Sequence, residues 1–249
     1  MTYRYLDRVY LREPVPAGSY LAALPSVRAL GDREHPLKIP ADVTFLVGEN
    51  GTGKSTLLEA VAVACGFNAE GGTRNFSFST RETHSPLYRY LTVGRTAYPR
   101  DGFFLRAESF YNVATNIDEM DEEPGPGGRV IDSYGGVSLH RQSHGESFLA
   151  LMQNRFHGNS IFILDEPEAA LSPQRQLTAL LMIGRLAKEG SQFIIATHSP
   201  ILLGLPGAQI LCFDDGDLHP ITYEETEVYQ VMEMFINSRK VLLEKLFSD

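Results

Sequence analysis

The chain has 249 residues, 43% hydrophobic and 21% charged, with a formal net charge of −9 at pH 7. That length supports one large α/β domain, with room for a small subdomain, and the lack of any 18-residue apolar run excludes a membrane-spanning helix. The acidic balance argues against a surface coated for nucleic acid, which needs clustered Lys and Arg, while leaving room for a local basic patch.

Residues 2–12 are rich in aromatic and β-branched side chains and predict a strand. The N-terminal Met1-Thr2-Tyr3-Arg4-Tyr5 has no apolar signal-peptide core. Tyr20 to Leu24 predicts a second strand, stopped by Pro25, and with residues 43–47 the two would form an antiparallel edge around a ligand. Val43 to Val47 is a short β-branched and apolar run, as expected of a buried parallel strand. Leu57, Leu58, Val61, Ala64 and Cys65 then recur at helical spacing. Residues 66–101 are polar and broken by Gly71-Gly72, Ser85-Pro86 and Tyr98-Pro99.

Gly102 to Arg106 predicts a buried strand and Phe110 to Met120 a helix, followed by an acidic Pro/Gly loop over 121–128. A helix opens at Gln142–Glu146, with Phe148, Leu149, Leu151, Met152 and Phe156 at helical spacing. The strand Ile161–Leu164 ends at Asp165-Glu166-Pro167; a helix follows from Pro173 to Lys188, then strands at 193–197 and 209–213 and an amphipathic helix from Thr226 to Phe247. Strands apolar on both faces, alternating with helices, predict a mostly parallel sheet covered on both sides, with ligands at the carboxyl ends. No internal repeat or coiled-coil heptad is evident. Cys65 and Cys212 sit in apolar runs and read as reduced core residues, consistent with a cytoplasmic protein.

Between the strand at 43–47 and its helix lies Gly48-Glu49-Asn50-Gly51-Thr52-Gly53-Lys54-Ser55. It fits G-x-x-x-x-G-K-[ST], the phosphate-binding loop of nucleotide hydrolases, in the strand–turn–helix context the motif requires. Its glycines turn backbone N–H groups inward and the helix start points its positive end at the phosphates. Lys54 is expected to reach the β- and γ-phosphates and the Ser55 hydroxyl to complete a Mg²⁺ shell. Asp165-Glu166 at a strand tip is the expected companion: Asp165 on the metal side, Glu166 polarising a water. Tyr10 and Tyr20 are candidates to stack on a base, against the plainer alternative that each only packs.

These stretches, with Ser143-His144-Gly145-Glu146 and Thr197-His198, occur in the order of the ATP-binding-cassette (ABC) ATPases. The chain resembles a small stand-alone member of the kind labelled an AAA-family ATPase, and is similar in these motifs to the heads of structural-maintenance-of-chromosomes and recombination-repair ATPases. The resemblance implies an α/β P-loop fold with an antiparallel N-terminal β edge and a small helical subdomain, a core lobe of about 1–100 and 160–249, and an inserted subdomain of about 101–159. It implies that Asn50, Gly51, Thr52, Gly53, Lys54, Ser55 and Thr56 bind ATP and Mg²⁺, that Glu166 is the catalytic base and His198 the switch histidine, and that Ala170-Leu171-Ser172 is the D-loop. It also implies an ATP-sandwiched homodimer in which Ser143, Gly145 and Glu146 meet the other subunit's γ-phosphate.

Two departures stand out. His144 occupies a signature position that is usually Gly, and Ser143-x-x-Glu146 also reads as a helix capping box. No Gln lies between Ser55 and Gln142 to serve as the family's Q-loop; Glu108 is the positional substitute as a metal ligand, with a solvated helix-start acid as the alternative. Besides Mg-dependent ATP hydrolysis for an unknown process, other readings are a transporter's ATPase subunit, a DNA-repair or phage-defence ATPase, a small P-loop kinase, and an ATP sensor without hydrolysis.

Overall fold

The computed structural model describes residues 4–74, 84–122, 129–214 and 218–248. Its strands are β1 (Arg8–Leu11), β2 (Leu37–Lys38), β3 (Val43–Val47), β4 (Leu91–Gly94), β5 (Asp101–Arg106), β6 (Ser160–Asp165), β7 (Gln192–Ala196), β8 (Gln209–Cys212) and β9 (His219–Ile221). Its α-helices are α1 (Pro25–Arg28), α2 (Lys54–Ala64), α3 (Phe110–Glu122), α4 (His144–Arg155), α5 (Pro173–Lys188), α6 (Pro200–Leu203) and α7 (Glu227–Leu246).

Six strands form the main sheet in the order β5-β6-β7-β3-β8-β9. The first five are parallel, and β9 runs antiparallel on β8. Alternation along each strand divides the core. Phe45, Phe103, Phe162, Leu164, Phe193 and Ile195 face α3, α4 and α5, while Leu46, Phe104, Ile161, Ile163, Ile194 and Ala196 face α2 and the N-terminal segment. Both faces are buried, which is why these strands read as unbroken apolar runs. Each of the larger side chains contributes roughly 1.5–3 kcal/mol by leaving water.

The antiparallel N-terminal unit is a separate three-stranded sheet, β2-β1-β4. Its makeup differs from expectation. The predicted strand over 2–12 is reduced to Arg8–Leu11, because Tyr5 and Leu6 donate their backbone N–H groups to the buried Gln192 amide oxygen at 3.0 and 2.9 Å; residues 2 and 3 lie outside the described residues. Tyr20–Ala23 is a 3₁₀ turn rather than a strand, capped by Ser19 and passing through Pro25 into α1. The strand at 43–47 is central to the main sheet, so it joins no antiparallel edge.

The remaining elements follow the predicted pattern, and β5, α3, α5 and α7 lie within two residues of their expected bounds. β5 is an edge of the main sheet, and α3, two 3₁₀ turns and α4 form the helical group between β5 and β6. Asp121 and Glu122, expected to open a loop, end α3, where the Asp121 carboxylate accepts from the Val130 and Ile131 N–H groups at 2.5 and 2.9 Å; residues 123–128 lie outside the described residues. The described residues contain no helix long and apolar enough to cross a membrane, and both cysteines are buried and outside any disulfide among the described residues.

Candidate functional site

Register brings the motifs together. Leu46 pairs with Ala196 and Ala196 with Asp165, so β3, β7 and β6 end at one level. The segments after them carry Gly48–Ser55, His198 and Glu166.

Gly48, Gly51 and Gly53 have φ of 140°, 90° and 89°, the left-handed range that lets the loop turn its N–H groups inward. Gly53 has a second reason to be glycine: a Cβ would lie 2.4 Å from Ser26 Oγ. Ser26 clamps the loop from outside, its hydroxyl donating to Gly53 O at 2.9 Å and its N–H to Thr52 O at 3.0 Å. Asp214 holds the other end, accepting from Glu49 N at 2.7 Å. Thr52 Oγ1 donates to Glu49 O at 2.9 Å. Lys54 opens α2 and folds back, its ammonium donating to Gly48 O and Glu49 O at 2.5 and 2.9 Å. Burial lowers its pKa, opposed by the carboxylates of Asp214, Glu166 and Asp165.

Ser55 Oγ donates to Asp165 Oδ1 at 3.0 Å. Asp165 is 6% exposed, and burial pushes its pKa from 3.8 to about 6, with the Ser55 hydrogen bond and the Arg106 charge pulling the other way. Serine hydroxyl and carboxylate are hard oxygen donors suited to Mg²⁺, and a buried carboxylate with incomplete compensation suits a divalent cation. No group of three His, Cys, Asp or Glu side chains among the described residues makes a metal cage; a two-ligand set is what Mg²⁺ uses when substrate phosphates supply the rest.

Glu166 is exposed, with φ of 50°. A non-glycine residue in that region costs of order 1–3 kcal/mol, a strain found where a side chain must be aimed. Its N–H is fixed to Ala196 O at 2.9 Å. His198 is also exposed. Its N–H donates to Glu168 Oε1 at 2.6 Å, and Ser199 beside it donates to Gln176 Oε1 at 2.6 Å.

Ser143 caps α4 as predicted: Glu146 Oε2 accepts from Ser143 N at 3.0 Å and Ser143 Oγ at 2.6 Å, which lowers the Glu146 pKa. Arg175 grips the pair, 3.3 Å to Ser143 Oγ and 3.2 Å to Glu146 Oε1. Gly145 is required here, since a Cβ would meet Arg175 Nη1 at 2.6 Å and the Ala170 carbonyl at 2.8 Å. His144 turns to Tyr111, hydrogen-bonded and edge-on to its ring.

Glu108 is 86% exposed and pairs with Arg106 at 3.4 Å. Arg106 also binds Glu59 at 2.6 Å and lies 3.8 Å from Asp165 Oδ2. Tyr20 is 61% exposed, its hydroxyl donating to Ser85 Oγ at 3.2 Å; Tyr10 is half-buried on β1 opposite Thr92. Ser26, Asp214, Glu168, Arg106 and Arg175 are the contributors that motif reading misses. None belongs to a short pattern, and each acts through a partner distant in sequence.

The family described as "AAA domain, putative AbiEii toxin, Type IV TA system" matches residues 43–114 and 129–204. The galactose/methyl galactoside import ATP-binding protein MglA of Fusobacterium nucleatum subsp. nucleatum is 27% identical over 214 residues, covering 77% of this chain and 40% of the relative. The ABC transporter G family member STR2 of Medicago truncatula is 26% identical over 171 residues, covering 64% and 24%. The thiamine import ATP-binding protein ThiQ of Ruegeria sp. is 27% identical over 195 residues, covering 72% and 80%. The chain thus spans well under half the length of the first two. Among solved structures, cbiO1 from Clostridium perfringens, part of the ABC transporter complex cbiONQ, aligns with 97% of this chain and 99% of its own at 16% identity and a TM-score of 0.47.

Proposed function

The chain belongs to this AAA-domain family and is an ATPase of the ABC type, and from that premise we propose that it hydrolyses ATP with Mg²⁺ as a homodimer closed around the nucleotide. The observation that carries the reading is the convergence of Lys54, Ser55, Asp165, Glu166 and His198 at the carboxyl ends of three adjacent parallel strands.

The roles follow from the chemistry of each group. Residues 50–56 wrap the phosphates, and Lys54 leaves the loop carbonyls for the phosphate oxygens. Ser55 and Asp165 would hold Mg²⁺, which neutralises charge on the β- and γ-phosphates. Glu108 lies beyond that pair, across Arg106. Glu166, exposed and strained, accepts the proton of the attacking water. His198, anchored through its backbone to Glu168, donates toward the γ-phosphate. Ser143 and the N–H groups at the start of α4 would cover the γ-phosphate of a second copy, exchanging the capping contact for a phosphate contact. Association is then linked to ATP, because the signature surface has no phosphate to bind without it.

Glu166→Gln is expected to bind ATP, to lose about 10²–10⁴-fold in turnover and to remain dimeric with ATP and Mg²⁺ on gel filtration. A monomer under those conditions rejects the sandwich. Lys54→Ala is expected to lose ATP affinity in a direct binding titration; wild-type affinity would remove its role.

A second reading, an ATPase subunit serving a membrane transporter, is supported by the relatives named as import ATP-binding proteins. The family description's wording, a putative toxin of a Type IV TA system, favours a role outside transport instead. What co-purifies with the Glu166→Gln variant separates them.

A further inference from the structure

α7 has no buried residue. Its first turn is anchored: Val228 packs against the core and Tyr229 lies edge-on to Tyr223 at 4.8 Å. Beyond that turn, Val231, Met232, Phe235 and Leu246 are 48%, 43%, 38% and 67% exposed. A lone amphipathic helix gains most of its stability from packing its apolar face, so this stripe calls for a cover.

We infer that the cover is α7 of a second copy, packed antiparallel about a two-fold axis level with Asn237. Residues equally far from Asn237 then meet: Val228 with Leu246, Val231 with Leu243, and Met232 with Leu242. Phe235 meets Arg239, a cation over a ring. The helix bends at Ser238, beside the axis, so each half-helix pairs as a unit. The charges fit the same arrangement. Glu227 lies on one flank of the stripe at nearly the level of Lys245 from the other copy, and Glu233 lies on the opposite flank near Lys240. A parallel pair would set Glu227 on Glu227 and Arg239 on Arg239, a repulsion. The contact is isologous and self-complementary, as a two-fold dimer requires. It uses no residue of the phosphate loop or the signature, but Val228, Val231 and Met232 line the same cavity as Gly48 and His198, so it is tested without nucleotide.

The test is sedimentation velocity of the full chain without nucleotide and with EDTA. The wild type is expected to run at twice its chain mass. Leu242→Glu is expected to run at the chain mass while keeping wild-type ATP affinity, which shows that the body is folded. Glu233→Lys and Lys240→Glu are each expected to weaken the dimer about tenfold, and the double reversal to restore it. A wild type that stays monomeric up to about 100 µM, a dimer that Leu242→Glu leaves intact, or a double reversal as weak as either single variant would each overturn the pairing. The sandwich is read separately, from Glu166→Gln combined with Leu242→Glu, which is expected to be a monomer without nucleotide and a dimer with ATP and Mg²⁺.

Discussion

At the residue scale, Asp165 illustrates the cost of burying a carboxylate. Its carboxyl is pushed up to about 6 by burial, against 3.8 for the exposed group. A folded-state value above the unfolded one means that the protonated form is favoured in the fold. The contribution to stability is full below about pH 4 and lost as pH rises through about 6. At pH 7.5 the ionised carboxylate costs the metal-free protein about 3 kcal/mol. Asp165→Asn is therefore expected to raise the melting temperature in EDTA at pH 7.5, with the gain shrinking toward pH 4, as thermal unfolding across that range would record. The same variant should abolish Mg-dependent turnover. Glu166 carries its strain in the backbone, at φ 50°, and residues aimed this way cluster where chemistry is done.

Among the elements, α4 begins with a cap built from residues proposed to meet a second subunit's phosphate. Ser143, Glu146 and Arg175 form one hydrogen-bonded group. Ser143→Ala removes a capping hydroxyl and is expected to cost about 1 kcal/mol in urea unfolding. Adding ATP should stabilise the wild type more than the variant if the same hydroxyl serves the second subunit's phosphate. The α4 start was legible because Ser143 and Glu146 stand three residues apart, whereas Arg175, thirty-two residues beyond Ser143, carries no local signal. Tyr20–Leu24 misled for the converse reason. Its composition suits a strand, but Ser19 and Pro25 impose a helical turn, and that turn delivers Ser26 to the phosphate loop.

For the whole molecule, Gln192 joins the N-terminal segment to the main sheet. Its buried amide accepts from Tyr5 N and Leu6 N and donates to Leu6 O at 2.7 Å. Gln192→Leu would leave those backbone groups without partners inside the protein, and a loss of about 2–4 kcal/mol is expected by chemical denaturation. The phosphate loop lies at the other end of the neighbouring β3, so ATP affinity should change far less than stability.

The sequence determined the buried strands, their alternation with helices and the phosphate loop, because each of those signals is local. Apolar runs, glycine positions and caps act over a few residues. Strand order, the pairing of Asp165 with Ser55, and the hold of Ser26, Asp214 and Glu168 on the site were decided only by tertiary structure. Those contacts join residues tens to more than a hundred positions apart, and which of them form depends on register and burial in the folded sheet.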